Sequence, residues 1–154
     1  MTLNELLKNS TKEEILELYS KALDLSDEDD FWKEKILPYV DAVLSVLLPL
    51  RDQNLLFTPE GRVVEEINQE FFFRWSDLIC LRTIAFILEE SNEKNTLVRT
   101  DYKDVNYEKI DLQILGEYLS SFKVNLTEED SLDFPIANYN LHTGMLTTIK
   151  TLIK

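Results

Sequence analysis

Histidine and cysteine, the side chains that most often bind zinc or act as nucleophile and base, each occur once in this chain. His142 is the only histidine and Cys80 is the only cysteine. A zinc site draws on several imidazole or thiolate ligands, so a metal site here would need carboxylates alone, and their spacing does not indicate one. We therefore expect no metal. We interpret His142 as a residue at a helix start or on the surface; the alternative is a pocket where it meets converging carboxylates.

Cys80 is a poor candidate for a nucleophile. It lies in the apolar run at 78–81, where burial keeps a thiol protonated and inert. A single cysteine also excludes an internal disulfide. The sequence contains neither a Gly-Lys-Ser/Thr phosphate loop nor a GxGxxG fingerprint. We expect no catalytic residue and no cofactor within this chain.

Acidic residues dominate the charge and supply the candidate binding residues. Asp and Glu number 29 against 16 Lys and Arg, which gives a net charge of -13 at pH 7. Two acidic runs stand out, and each is either a solvated segment or a docking site for a basic segment of a partner protein. The candidate partner-binding residues are Asp27, Glu28, Asp29 and Asp30 in the first run, and Glu128, Glu129 and Asp130 in the second.

Nucleic acid is a less favoured partner, because phosphate contacts require lysine and arginine gathered on one face. The residues that would form such a face are Arg51, Arg62, Arg74, Arg82 and Arg99. A DNA-binding arginine face remains an alternative hypothesis. Others are a free-standing acidic module for protein interaction and a free-standing helical enzyme.

Length and composition predict the scaffold that positions these residues. The chain has 154 residues, enough for one domain with a real core. Only 3 glycines and 4 prolines occur, which argues against turn-rich sandwiches and barrels. We predict a single all-α domain over 1–154, a bundle of five to seven helices.

The most apolar predicted helix runs from about 30 to 51. Its polar positions recur every three or four residues and form one narrow stripe, which is typical of a central helix; they are Glu34, Pro38, Asp41, Ser45, Pro49 and Asp52. Both prolines lie on this stripe, where a kink bends the helix around the core; the alternative is a break at Pro38. The apolar part at 36–50 is too short to span a bilayer.

The other helices follow from caps and apolar spacing. Thr11 and Glu14 form a capping box that begins a helix through residue 25, preceded by a short helical turn at 3–7. Thr58 followed by Pro59 predicts a short helix to 67. The remaining predictions are one helix over 71–88, one over 110–122 and a final helix on the stripe Leu141, Met145, Ile149 and Leu152, with loops at 92–107 and 126–137.

Two segments carry a family resemblance. Segment 29–52 reads as acids, the aromatic pair Phe31-Trp32, a basic residue, an apolar helix containing an acid, and then Arg-Asp. Segment 140–145 (Asn-Leu-His-Thr-Gly-Met) is similar to a His-Gly-aromatic segment that opens a helix. In this order they resemble the all-α domain of type IV coupling proteins, the TraD/TraG/DotL-type ATPases of conjugation and type IV secretion.

The resemblance implies a function. In that family the domain is a helical insertion in the ATPase, at the cytoplasmic mouth of a hexamer, and it receives a DNA-bound relaxase or effector proteins. The chain would then be a non-catalytic, substrate-recruiting domain excised from a longer ATPase. It would be cytoplasmic, within a complex anchored in the inner membrane, without membrane contact of its own. We expect protein substrates or relaxase as partners, DNA only indirectly, and a monomer in isolation.

Overall fold

The computed structural model describes residues 2–60, 62, 64–93, 110–123 and 136–153. Within these ranges every regular element is a helix and no strand occurs. This confirms the predicted all-α bundle. The seven helices are α1 (Leu3–Asn9), α2 (Lys12–Asp24), α3 (Asp30–Asp52), α4 (Gln69–Trp75), α5 (Leu78–Glu93), α6 (Leu112–Ser121) and α7 (Ile136–Leu152).

Helix α3 is the centre of the bundle, as its thin polar stripe predicts. It packs against α2, α4, α6 and α7. Both Pro38 and Pro49 lie inside the continuous helix, so the predicted alternative of a break at Pro38 is wrong. The stripe is narrower than expected, because Ser45 is only 4 % exposed. Its hydroxyl donates to Asp41 and accepts from the Lys12 ammonium, which satisfies it in the interior.

Side-chain caps start most of these helices. Thr11 and Asp29 each accept a hydrogen bond from the backbone N–H three residues ahead, as expected for residues that satisfy free donors at a helix start. Thr2, Asn68 and Asp111 do the same for α1, α4 and α6. The end of α2 at Asp24 and the Asp29 cap of α3 bound the loop between these helices, and the first acidic run lies at the end of this loop.

The predicted short helix from Thr58 to 67 is wrong. The described residues of this segment form turns, and the Thr58 N–H donates to the Arg62 carbonyl at 2.9 Å instead of capping a helix. The Val64 N–H donates back to the Leu56 carbonyl at 2.9 Å, so the backbone groups pair across a turn. The indole of Trp75 donates to the Phe57 carbonyl at 2.7 Å and holds this segment against the core. Tertiary bonding of this kind overrides the local helix-start signal.

The predicted single helix over 71–88 is two helices. Ser76 ends α4, and the Asp77 carboxylate accepts from the N–H groups of Ile79 and Cys80, which begins α5. The polar pair Ser76-Asp77 therefore ends helix α4 and caps the start of helix α5. The chain turns there, which brings the Ser76 carbonyl into the bundle interior.

The C-terminal part contains the two predicted helices, but the second of them begins earlier than predicted. Helix α6 lies within the predicted 110–122 helix. Helix α7 begins at Ile136, inside the predicted loop at 126–137. Most of both predicted loops lies outside the described residues. Among the helices described, none combines the length and apolarity needed to cross a membrane.

Candidate functional site

His142 lies in the interior of the bundle, so its interpretation as a helix-start or surface residue is wrong. It is fully buried in α7 and its ring stands edge-on to Tyr39, with centroids 4.6 Å apart. Nδ1 lies 2.9 Å from the Tyr118 hydroxyl of α6, and Nε2 lies 2.6 Å from the Ser76 carbonyl oxygen. The Tyr39 hydroxyl of α3 donates to the same carbonyl at 2.7 Å.

The hydrogen bonds of this cluster determine the tautomer of the His142 ring, and burial determines its charge. A carbonyl oxygen only accepts, so Nε2 carries the proton, and Nδ1 accepts from the Tyr118 hydroxyl. Burial lowers the pKa of His142, and the hydrogen bond to Ser76 and the charge of Asp77 only partly oppose this. Burial likewise raises the pKa of Tyr118. The ring is therefore neutral, and both of its nitrogens are bonded within the fold.

The His142 cluster has a structural role that spans the bundle. Through two ring nitrogens and one carbonyl it joins α3, the α4–α5 junction, α6 and α7. The alternative of His142 meeting carboxylates in a pocket does not match this geometry, since its polar contacts are a phenol and a backbone carbonyl. Among the described residues there is also no group of three or more His, Cys, Asp or Glu placed to hold a metal ion.

The thiol of Cys80 is held in its protonated form. Burial raises its pKa to about 11, with the Asp77 carboxylate adding to the effect and Arg74 opposing it. A thiolate is the reactive form of cysteine. At neutral pH the Cys80 side chain is therefore a half-buried apolar group on α5.

The arginines of the predicted basic face are engaged by the fold. The Arg51 guanidinium donates to the Leu7 carbonyl at 2.7 Å and to Asp52 at 2.9 Å. Arg74 pairs with Glu60, and Arg82 is only 5 % exposed. Arg62 is exposed, and Arg99 lies outside the described residues. Arg51 and Arg82 are thus held within the fold and Arg74 is in a surface ion pair, which leaves Arg62 as the exposed described arginine, too little for a basic face.

The first acidic run forms the turn between α2 and α3. We call residues Asp27, Glu28, Asp29 and Asp30 the acidic loop. Three of the four side chains are exposed and Glu28 is partly buried. Asp29 caps α3 by accepting from the Trp32 N–H at 3.0 Å. None of the four carboxylates pairs with a described lysine or arginine, whereas Asp41, Glu17, Asp52, Glu60 and Glu66 all do.

Two large apolar side chains flank the acidic loop and were missed by the sequence reasoning. Leu25 is 89 % exposed at the end of α2, and Phe31 is 50 % exposed in the first turn of α3. Phe31 stands edge-on to Trp32, which itself packs against Gly144 of α7. Apolar residues beside unpaired carboxylates give this loop a mixed surface. The signal available in the sequence was that Phe31 directly follows the run of acids and that only Ser26 separates Leu25 from it.

The second acidic run, Glu128, Glu129 and Asp130, lies outside the described residues. A polar cleft of about 460 Å³ opens elsewhere, where the α1–α2 junction meets α3. Lys12 and Arg51 line it, and both are already bonded to partners on α3 or at its end. The cleft therefore presents no free cation to an anionic ligand.

Comparison with known proteins adds no assignment to this geometry. The chain matches no protein-family model, no curated protein and no solved structure.

Proposed function

We propose that this chain is the substrate-recruiting, non-catalytic all-α domain of a type IV secretion or conjugation coupling protein, and that it docks a basic segment of a relaxase or effector at its acidic loop. The site would face the cytoplasm within an inner-membrane complex. The resemblance of segments 29–52 and 140–145 supports the family. The surface chemistry of the loop supports the docking role.

The observation that carries the docking role is the lack of ion pairing at the acidic loop. Its four consecutive carboxylates all lack a described cationic partner. Five described carboxylates elsewhere have one and others, such as Glu5 and Glu34, do not, so the distinguishing feature of the loop is four unpaired acids in a row. A partner with lysines or arginines would supply the missing counter-charge and speed encounter. Leu25 and Phe31 at the edges offer apolar contacts, which give a docked segment a longer residence time than charge alone.

A protein partner fits this surface better than DNA. A net charge of -13 repels a phosphate backbone, and the described arginines are largely engaged by the fold. DNA is therefore expected to reach this domain only as cargo attached to a relaxase. In a gel-shift assay at low salt the domain should not retain duplex DNA, and strong salt-sensitive retention would overturn this ranking.

The docking role is tested with the relaxase or effectors encoded alongside the chain. The test variant changes Asp27, Glu28, Asp29 and Asp30 to Ser, which keeps a capping hydroxyl at position 29. Its matched control changes four exposed glutamates elsewhere, namely Glu65, Glu66, Glu70 and Glu117, to Ser. Both variants raise the net charge by four, from -13 to -9.

Binding is measured by biolayer interferometry at about 100 mM salt, where charges still act over about 10 Å. We expect the acidic-loop variant to lose about tenfold or more in affinity, mostly in association rate, and the control to change by about twofold. Equal losses in both variants would mean that only net charge matters, and the docking site would be wrong. The family assignment is tested separately: we expect a phosphate-loop ATPase encoded in the same reading frame. Its absence would reject the coupling-protein family and leave the free-standing protein-interaction module.

A further inference from the structure

The α2–α3 hairpin carries a groove that is apolar at its base and acidic at its rim. It holds about 580 Å³, which is within the range of binding clefts. Leu16 from α2 and Leu37 from α3 form its floor, and both are only partly covered by the core. Pro38 is exposed beside them. Pro38 has no backbone N–H, so the continuous helix lacks one i→i−4 hydrogen bond at this point of the groove wall.

Carboxylates border this floor and no cation lines it. Glu13 and Glu17 come from α2 and Asp41 comes from α3. Asp41 pairs with Lys12, which lines a different cleft. Glu17 pairs with Lys21 on the surface, where an ion pair contributes little to stability. Glu13 is then the one rim carboxylate without a described cationic partner, and with two paired carboxylates beside it the rim keeps a net negative charge around an apolar centre.

We propose that this groove binds an amphipathic α-helix of the partner protein, with its apolar face on Leu16, Leu37 and Pro38 and with lysines or arginines along its edges. The proposal rests on the proposed function, because it assigns a second contact to the same partner that the acidic loop holds. Residues 13, 16, 17 and 20 share one face of α2. From 13 to 20 they span roughly 10 Å at 1.5 Å per residue, which matches two turns of a docked helix.

The geometry favours a helix over an extended strand. Two packed helices present parallel ridges, and a third helix fits the groove between them. An extended peptide would need a free sheet edge for its backbone hydrogen bonds, and the described part of the chain contains no strand. A second copy of this chain is disfavoured as occupant, because two chains of net charge -13 repel each other.

The groove and the acidic loop lie on the same hairpin. Ser20 at the end of the groove lies four residues, roughly 6 Å, before the end of α2 at Asp24, and the acidic loop begins three residues after that helix end. One partner segment can therefore contact both: a helix in the groove, followed by basic residues at the loop. The loop selects by charge, and the groove adds selection for an apolar stripe.

The test uses the full chain labelled with ¹⁵N and two synthetic probes. The first is a twelve-residue helical peptide with leucines on one face and lysines on both edges. The second keeps every lysine and replaces each leucine by serine. We expect the leucine peptide to bind about tenfold or more tightly, because burying leucine side chains is worth at least that factor. Its amide shifts should map to residues 13–20 and 37–41.

Charge-reversal variants locate the rim. Glu13→Lys with Glu17→Lys should weaken the leucine peptide about fivefold or more, while Glu65→Lys with Glu66→Lys should change it by less than about twofold. Equal binding of both peptides, with shifts confined to residues 27–30, would overturn the groove while leaving the acidic loop as the docking site. Absence of leucine-peptide binding from a chain that still captures relaxase or effector would also overturn the groove alone.

Discussion

The His142 cluster gives the sharpest stability prediction, because its bonds can be removed one at a time. His142→Leu keeps a similar volume, so it creates little cavity. It removes the bond to the Ser76 carbonyl, worth about 1 kcal/mol, and leaves the buried Tyr118 hydroxyl without an acceptor, at a cost of about 1–3 kcal/mol. Ser76 keeps the Tyr39 bond. We expect the free energy of unfolding to fall by about 2–4 kcal/mol.

Urea unfolding followed by circular dichroism at pH 7.5 measures this loss, provided the slope with urea is unchanged. The cluster geometry adds a second requirement, which is coupling. In the double variant His142→Leu with Tyr118→Phe the orphaned hydroxyl is gone, so its loss should be about 1–2 kcal/mol smaller than the sum of the two single losses. A His142→Leu variant within about 0.5 kcal/mol of the parent, or additive losses, would refute the hydrogen-bond assignment.

The same residue sets a pH dependence with a definite sign. Burial lowers the pKa of His142 in the folded state below its ordinary value near 6.5. Between these two values the unfolded chain binds a proton that the folded chain does not, so stability falls as the pH falls. The slope is at most about 1.4 kcal/mol per pH unit for one proton. The advantage of the parent over His142→Leu should therefore shrink between pH 7.5 and 5.5, and a constant difference would contradict the lowered pKa.

Three further predictions concern the α4–α5 junction and the acidic loop. Asp77→Ala removes the carboxylate that accepts from two N–H groups of α5 and should cost about 1 kcal/mol in urea unfolding, while Asp77→Ser should recover most of it. Cys80, with its pKa near 11, should react with iodoacetamide at pH 7.5 about tenfold or more slowly than free cysteine, and an equal rate would contradict its burial. Changing all of residues 27–30 to Ser should leave the unfolding free energy equal or higher, because it relieves repulsion between unpaired carboxylates; a loss above about 1 kcal/mol would assign them a structural role.

The sequence was sufficient for the elements whose signals are local. The helix about 30–51 is read from its long apolar run and narrow polar stripe, and the structure places it centrally. The polar pair Ser76-Asp77 was an available signal for a helix end and a new cap, but the apolar residues around it concealed the break. The Thr58-Pro59 signal failed because backbone bonds to Arg62 and Leu56, set by packing, decided that segment.

The buried position of His142 was not predicted because the apolar stripe of α7 can be placed on Leu141 or one residue later, on His142. The predicted stripe began at Leu141, yet the buried positions are His142, Met145, Ile149 and Ile153, which share a face equally well by spacing. Local pattern could not choose between them, because a histidine is buried only if partners wait for it. Those partners, Tyr118 and Ser76, lie 24 and 66 residues away in the chain. Such distant pairing is a property of the fold.

The distribution of charge ties stability to the proposed role. Lys12 bonds to Asp41 and Ser45, and Arg51 bonds to the Leu7 carbonyl, so these two cations stabilise contacts between helices. What remains at the hairpin is an excess of carboxylates at the acidic loop and along the groove. Apart from the cap that Asp29 gives α3, an isolated domain gains nothing from this arrangement, since the adjacent acids repel one another and Leu25 leaves apolar surface in water. A basic, partly apolar partner removes both costs at once, which is why the hairpin is the surface where recognition is expected.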